Sequence, residues 1–166
     1  NGISTIVNGG IRRPSTILKQ DGAPAGERVF SQKTSEQLRR LMRLVVTEGS
    51  GKKAEVAGYF LGGKTGTSEK LVNGRYVKNA RMSTFVAAFP MQDPKYVVLV
   101  TLDEPKGTKE TYGFATAGWV SAPAVGKVVT RIAPLLGIEP ANAKAPEIEQ
   151  ALQIELRKGE RKLASF

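Results

Sequence analysis

Tyr59-Phe60-Leu61-Gly62-Gly63-Lys64-Thr65-Gly66-Thr67-Ser68 carries an apolar, glycine-rich segment into a cation, two hydroxyls and a residue without a side chain. The segment from Val56 to Gly66 has the length and composition of a strand, thinned by its glycines, and Ser68-Glu69-Lys70 is the polar turn after it. In extended backbone, side chains alternate between faces, so Lys64 goes with Gly66 and Thr65 with Thr67, an alternation that a twisting strand end can relax. Gly66 permits close approach of a ligand backbone, which can add to the strand edge by main-chain hydrogen bonds. The Thr65 and Thr67 hydroxyls suit a carboxylate, and Lys64 supplies a positive field. The Thr67 amide is placed to face a developing oxyanion. As a bare tetrapeptide, Lys64-Thr65-Gly66-Thr67 also fits a strand end running into a turn, so its neighbours decide.

Upstream, a helix is expected over Thr34–Glu48. Thr34 with Gln37 forms a capping-box pattern, and Leu38, Leu41, Met42, Val45 and Val46 recur at helical spacing. Arg39, Arg40 and Arg43 fall largely elsewhere on that helix. Gly49 stops it, and Gly49 to Lys53 is a loop. Residues 1–30, rich in Gly, Pro and Ser, form a turn-dense lead-in. Downstream, strands are expected at Thr84–Phe89 and Tyr96–Leu102, antiparallel because their link is short. The continuous apolar run of the latter predicts burial on both faces. Leu71 to Val77 is a hairpin turning at Asn73-Gly74, either at the rim of a cleft or as an exposed excursion. A second helix begins at Ser121 as cap, with Pro123 in its first turn, and ends or kinks at Pro134. Residues 139–166 read as a linker and an amphipathic tail helix over Pro146–Lys162. That helix is acidic at its start and basic at its end. It suits docking to a partner or a membrane surface, with a loosely packed terminus the plainer reading. The fold class is α+β, an antiparallel sheet covered by helices.

The chain has 166 residues, 40% hydrophobic and 24% charged, enough for one domain with a core. It contains neither cysteine nor histidine. Disulfides, thiol nucleophiles, histidine triads and the common zinc sites are thereby excluded, and no metal or cofactor is expected. Any reaction here must use Ser, Thr, Lys, Tyr or carboxylates. The net charge of +10 is dispersed. No basic stripe interleaves with aromatics, so solvated surface charge is favoured over an anionic polymer or membrane partner, and nucleic acid is not expected as a partner. Asp103 and Glu104, adjacent in sequence, diverge too much for a glycosidase-type pair. Tyr112, Phe114 and Trp119 are expected to pack against the second helix rather than to line a cleft.

With its context, the Lys64 strand resembles the penicillin-binding proteins, specifically the transpeptidase domain of the class B, cell-division type; Lys-Thr-Gly is a signature of that serine acyltransferase superfamily. The resemblance runs through Val7-Asn8-Gly9-Gly10, Pro14, the Thr34–Glu48 helix with its Gly-Ser-Gly loop and the Lys64 strand. It continues through Ser83 to Pro90, Tyr96 to Val100 and Ser121-Ala122-Pro123, roughly residues 7 to 138. It implies a serine β-lactamase/penicillin-binding-protein-like fold, with residues 1–138 as the C-terminal half of a transpeptidase domain. The implied activity is that of a peptidoglycan D,D-transpeptidase in cell-wall and septum synthesis. The implied ligands are D-Ala-D-Ala stem peptides and β-lactams, with divisome proteins as candidate partners. By carry-over, Lys64 and Thr67 are the catalytic residues and Thr65, Gly66 and Thr67 bind substrate. Lys64 provides the field and joins the proton relay, the threonine hydroxyls hold the carboxylate, and the Thr67 amide forms half of an oxyanion hole.

The family also needs a helical Ser-x-x-Lys nucleophile and a Ser-x-Asn upstream of this strand. The chain has no Ser-x-Asn. Its Ser-x-x-Lys match, Ser50-Gly51-Lys52-Lys53, lies in a loop that offers no helical turn. The expectation is therefore that an N-terminal portion of the same protein supplies the serine, and with it an inner-membrane anchor and a periplasmic location. The alternative is a non-catalytic module that binds stem peptide or a divisome partner. A basic nucleic-acid-binding domain is the weaker third reading.

Overall fold

A computed structural model describes residues 1–142 and 145–154. Its elements in chain order are α1 (Gly2–Val7), β1 (Ile11–Arg12), β2 (Glu27–Arg28), α2 (Gln32–Thr47), β3 (Gly62–Val72), β4 (Arg75–Phe89), β5 (Tyr96–Asp103), α3 (Ser121–Leu135) and α4 (Pro146–Leu152). The expected sequence of helix, three antiparallel strands and helix is present, in an α+β layer arrangement. β3, β4 and β5 pair in that order, both pairs antiparallel, and β1 pairs with β2 apart from them.

Element boundaries moved for physical reasons. α2 begins two residues before Thr34, and its cap is Ser31, whose side chain accepts from the Thr34 N–H. Thr34 is thus the third helical residue rather than the cap. β3 begins at Gly62 instead of Val56. Residues 56–61 instead bend into the core, with Phe60 at φ 45° and Tyr59, Phe60 and Leu61 buried. β4 is longer than expected, reaching back to Arg75, so β3 and β4 form one long hairpin. Its turn is Asn73-Gly74, both residues at positive φ (49° and 78°), as a tight primed turn requires. Within the hairpin, register passes from Glu69↔Arg81 to Lys70↔Val77, leaving residues 78–80 as a bulge on β4.

The core sits on both faces of β4. Phe85, Ala87 and Phe89 are fully buried against Val125, Val129 and Ala133 of α3, with Val46 of α2 in the same cluster. On the opposite face Ala88, with Met91 just beyond the strand, packs with Val7, Met42, Ile148 and Leu152. α2 supplies Val46 to one cluster and Met42 to the other, so it lies across the end of the sheet beside β3. The lead-in is more ordered than its composition suggests. Buried Ser35 on α2 donates to the Ile6 carbonyl (2.6 Å) and accepts from the Gly9 N–H (3.1 Å).

β5 departs from the expectation of two buried faces. Val98 and Val100 pack on the core, while Leu99 is 61% exposed and Val97 is also exposed. Its apolar run reads as a central strand, but among the described residues it is an edge strand covered on one side. Ser121 is not the cap of α3; Val120 holds that position with no side-chain cap. The buried Ser121 Oγ donates instead to the Ser83 carbonyl (2.6 Å), and Ser83 Oγ donates to the Ala115 carbonyl (2.6 Å), bolting α3 to β4. In the tail, α4 docks through Ile148 and Leu152, and Arg40 of α2 donates to the carbonyls of Ala151 (3.0 Å) and Gln150 (3.3 Å) at its C-terminal end. The expected continuation to Lys162 lies outside the described residues.

Truncating Phe85 to Ala removes one of the two largest fully buried side chains, and denaturant unfolding should show a loss of about 3–5 kcal/mol. Leu99→Ser on the open face should stay within about 0.5 kcal/mol. Equal losses would mean that the β4–α3 layer is not the principal core.

Candidate functional site

The bulge begins only after Glu69, so strict alternation holds through residues 62–69 of β3. Directly opposed residues share a face. Thr65 opposes the buried Phe85 and Thr67 opposes Ser83, which puts both threonines on the face covered by α3. Lys64 opposes Val86 and Gly66 opposes Thr84, on the other face. The expected pairing by face is therefore present, and the relaxation allowed at the strand end does not occur. Lysine and hydroxyls can still meet one ligand, because β3 is an edge strand among the described residues. A group lying in the plane of the sheet, beside that free edge, is reached from above and from below.

Each hydroxyl has a neutral partner. Thr67 Oγ1 accepts from the Ala117 N–H at 3.0 Å, just ahead of α3. Thr65 Oγ1 lies 2.9 Å from Ser50 Oγ, in the loop after α2. A hydroxyl that accepts from an N–H keeps its own proton free to donate, the role a carboxylate needs from it. Lys64 Nζ donates to the Thr65 carbonyl at 2.8 Å, and among the described residues no carboxylate pairs with it. Lys70 contrasts with it. Its ammonium lies 2.9 Å from both Asp103 and Glu104, and those carboxylates hold its pKa above the ordinary lysine value. The adjacent acids thus clamp the bulged hairpin to the end of β5 rather than forming a catalytic pair.

The start of β3 is held from α2. Arg43 donates to the Leu61 carbonyl (2.7 Å), makes a two-pronged ion pair with Glu55 (2.5 and 2.9 Å) and stacks over Phe60 at 5.6 Å. By helical spacing Arg43 falls with its neighbouring arginines, largely off the apolar stripe. Its place three residues before the buried Val46 was the available signal, since that spacing puts both on one side of the helix. The Ala117 contact carries no side-chain signal at all, being a backbone N–H.

The aromatic trio does not enter the core. Tyr112 is 78% exposed, Phe114 is exposed and Trp119 is half-buried. Phe114 stacks on Trp119 with centroids 5.3 Å apart, Tyr112 meets Trp119 edge-on at 5.7 Å, and the Lys53 ammonium lies 4.3 Å from the Trp119 centroid. Lys53 makes no hydrogen bond to Ser50, whose Oγ meets Thr65 instead. The Ser-x-x-Lys match is a turn followed by a 3₁₀ helix, Lys52–Ala54, not an α-helical turn.

Comparisons with known proteins give matches of family, sequence and fold. The profile of the penicillin binding protein transpeptidase domain matches residues 1–126. The chain is 45% identical over 148 residues to a probable peptidoglycan D,D-transpeptidase FtsI of Caulobacter vibrioides, covering 82% of this chain and 25% of that protein. It is 38% identical over 150 residues to the stage V sporulation protein D of Bacillus subtilis, covering 83% and 22%. The chain therefore spans about a quarter of the length of these curated relatives. Among solved structures, the transpeptidase domain of Burkholderia pseudomallei penicillin-binding protein 3 aligns with a TM-score of 0.72 at 34% identity, over 87% of this chain and 42% of that one. Penicillin-binding protein 3 of Mycobacterium tuberculosis, complexed with ampicillin, aligns at 0.71 and 25% identity, over 91% and 36%.

The Lys70 clamp carries a pH signature. A lysine whose folded pKa is raised adds stability in full below its unfolded value of 10.5, and that contribution is lost as pH rises through the folded value. The melting-temperature deficit of Lys70→Gln should therefore be constant from about pH 8 to pH 10 and shrink above that range. A deficit unchanged through that rise would show that the ammonium charge is not what clamps the hairpin.

Proposed function

Because the chain belongs to the penicillin-binding protein transpeptidase family, we propose that it provides the substrate-gripping wall of a peptidoglycan D,D-transpeptidase of the cell-division type. The observation that carries this reading is the edge of β3, free among the described residues, where a Lys64 with no ion pair among them and two anchored hydroxyls flank Gly66. A stem peptide ending in D-Ala-D-Ala lies along that edge, its terminal carboxylate accepting from Thr65 and Thr67 within the field of Lys64. A serine attacks the D-Ala-D-Ala carbonyl, and the Thr67 N–H donates to the oxyanion that develops. Expulsion of the terminal D-Ala leaves an ester on the serine. The amine of a neighbouring stem peptide attacks that ester, forming the crosslink and returning the proton-bearing serine. A β-lactam presents its carboxylate to the same hydroxyls and traps the serine.

We assign that serine to a segment outside these 166 residues, since Ser50 sits in no α-helical turn and Lys53 makes no hydrogen bond to it. The reaction belongs on the outer side of the inner membrane, where its polymer is built. No helix among the described residues is long and apolar enough to cross a membrane. The membrane anchor of the proposed enzyme is assigned to an N-terminal portion of the same protein. The region divides as residues 1–138, the transpeptidase portion, and 139–166, linker and tail. Divisome proteins remain the proposed partners.

Fluorescent penicillin tests the reading. The 166-residue chain alone should stay unlabelled, and the longer protein that contains it should label stoichiometrically. Lys64→Ala in that protein should slow acylation by about 100-fold or more, the scale for losing one electrostatic stabiliser of the transition state. Stoichiometric labelling of the chain alone would sink the external serine. A longer protein that binds stem peptide and never labels would leave only the non-catalytic module.

A further inference from the structure

Ser50 is the one polar side chain of the post-α2 loop that touches the Lys64–Thr67 stretch. Its Oγ lies 2.9 Å from Thr65 Oγ1. The loop around it is held firmly. The Gly49 N–H donates to the Leu44 carbonyl (3.1 Å) and the Gly51 N–H to the Val45 carbonyl (2.9 Å), so the last carbonyls of α2 grip the chain on both sides of Ser50. Two close approaches then exclude larger residues. A side chain on Gly51 would press on the Phe85 ring at 3.0 Å, and one on Gly118 would collide with the Ser50 carbonyl. Ser50 is therefore set between the fully buried centre of the sheet and the loop that leads into α3.

We propose that Ser50 is a positioning residue for Thr65, acting through a directed pair of hydroxyls; the inference rests on the carboxylate grip proposed above. In the free site either oxygen is able to donate to the other. A bound carboxylate only accepts, so it takes the Thr65 proton. Thr65 Oγ1 must then receive the Ser50 proton, and the order becomes Ser50 to Thr65 to carboxylate. Donation from Ser50 polarises the Thr65 hydroxyl and strengthens its bond to the anion, as chains of hydrogen bonds do. It also fixes the Thr65 rotamer toward the edge without bringing a charge that would compete for Lys64. The effect is largest for an anionic ligand, because a charged acceptor draws far more on the polarised hydroxyl than the neutral carbonyl of an ester, although both only accept.

The test uses the longer protein that takes up penicillin, and measures second-order acylation rates. Ser50→Ala should slow acylation by a carboxylate-bearing penicillin about two- to ten-fold, the range for one net hydrogen bond, at an unchanged melting temperature. Ser50→Thr, which keeps the hydroxyl, should recover the rate. The same Ser50→Ala change should alter acylation by the corresponding penicillin methyl ester less than about two-fold, and should add nothing in a Thr65→Val background. Additive losses with Thr65→Val, an equal loss with the ester, or a Ser50→Ala rate equal to that of the parent would each overturn the proposal. A parent protein that is not acylated at all would bring down the transpeptidase reading instead, a distinct result seen before any variant is compared.

Discussion

The structure depends on one strand being left half paired. β3 makes its full ladder with β4 and none on its other side among the described residues. An open edge is ordinarily a hazard, since unpaired N–H and C=O groups invite association with other chains. Here the edge is exposed yet anchored at intervals along its first half. Arg43 holds the Leu61 carbonyl, Ser50 meets Thr65 and the Ala117 N–H meets Thr67. Each such bond contributes only about 1 kcal/mol net. Together they fix the strand's height and roll relative to α2 and α3, which a ligand adding to the edge needs in advance.

The supports reach back into the core. Thr65 opposes Phe85 and Thr67 opposes Ser83, so the side chains nearest the site sit one strand away from the best-buried part of the sheet. Ser83 donates to the Ala115 carbonyl and Ser121 to the Ser83 carbonyl. Through these two buried serines the loop that presents Ala117 is tied to β4 at the point where β4 faces Thr67. A displacement of α3 therefore moves the Ala117 N–H, and with it the Thr67 hydroxyl. Core packing and site geometry are one problem in this fold, and close packing transmits the coupling.

Much of this was legible in the residues. The hairpin at Asn73-Gly74 follows from a turn type that demands positive φ, which those two residues tolerate best. The apolar spacing on α2 located Met42 and Val46, and the alternation at Lys64–Thr67 gave the correct faces. The departures from the sequence pattern are tertiary in origin. β5 has the composition of a buried central strand, but burial depends on what covers it, and one face has no cover among the described residues. Val56 to Leu61 looks like strand and is instead pulled into the core by Tyr59, Phe60 and Leu61. Ser121 and Ser31 are both good caps by type; position alone decides that one caps and the other bolts a helix to a strand. Tyr112, Phe114 and Trp119 satisfy one another at the surface, an outcome that composition does not separate from burial. The contacts of Ser50 with Thr65 and of Ala117 with Thr67 are not legible in the sequence, because they join segments 15 and 50 residues apart.

The division of labour on the two faces of β3 has an electrostatic logic. A carboxylate partner for Lys64 would hold its ammonium in place but cancel much of the field felt by an incoming anion. Lys70 shows that outcome eight positions along from Gly62, where Asp103 and Glu104 neutralise it and the result is structural. The site avoids this by anchoring with neutral groups only: a serine hydroxyl, a backbone N–H and a backbone carbonyl. These orient without discharging. The geometry is set on the α3 face, where packing is dense, while the charge is kept on the opposite face, with no carboxylate paired to Lys64 among the described residues. An edge strand is the one place in a sheet where two faces serve a single ligand, so the separation costs the site nothing in reach. It lets the same four residues be rigid in shape and still strongly positive, which is what recognition of a peptide carboxylate asks of them.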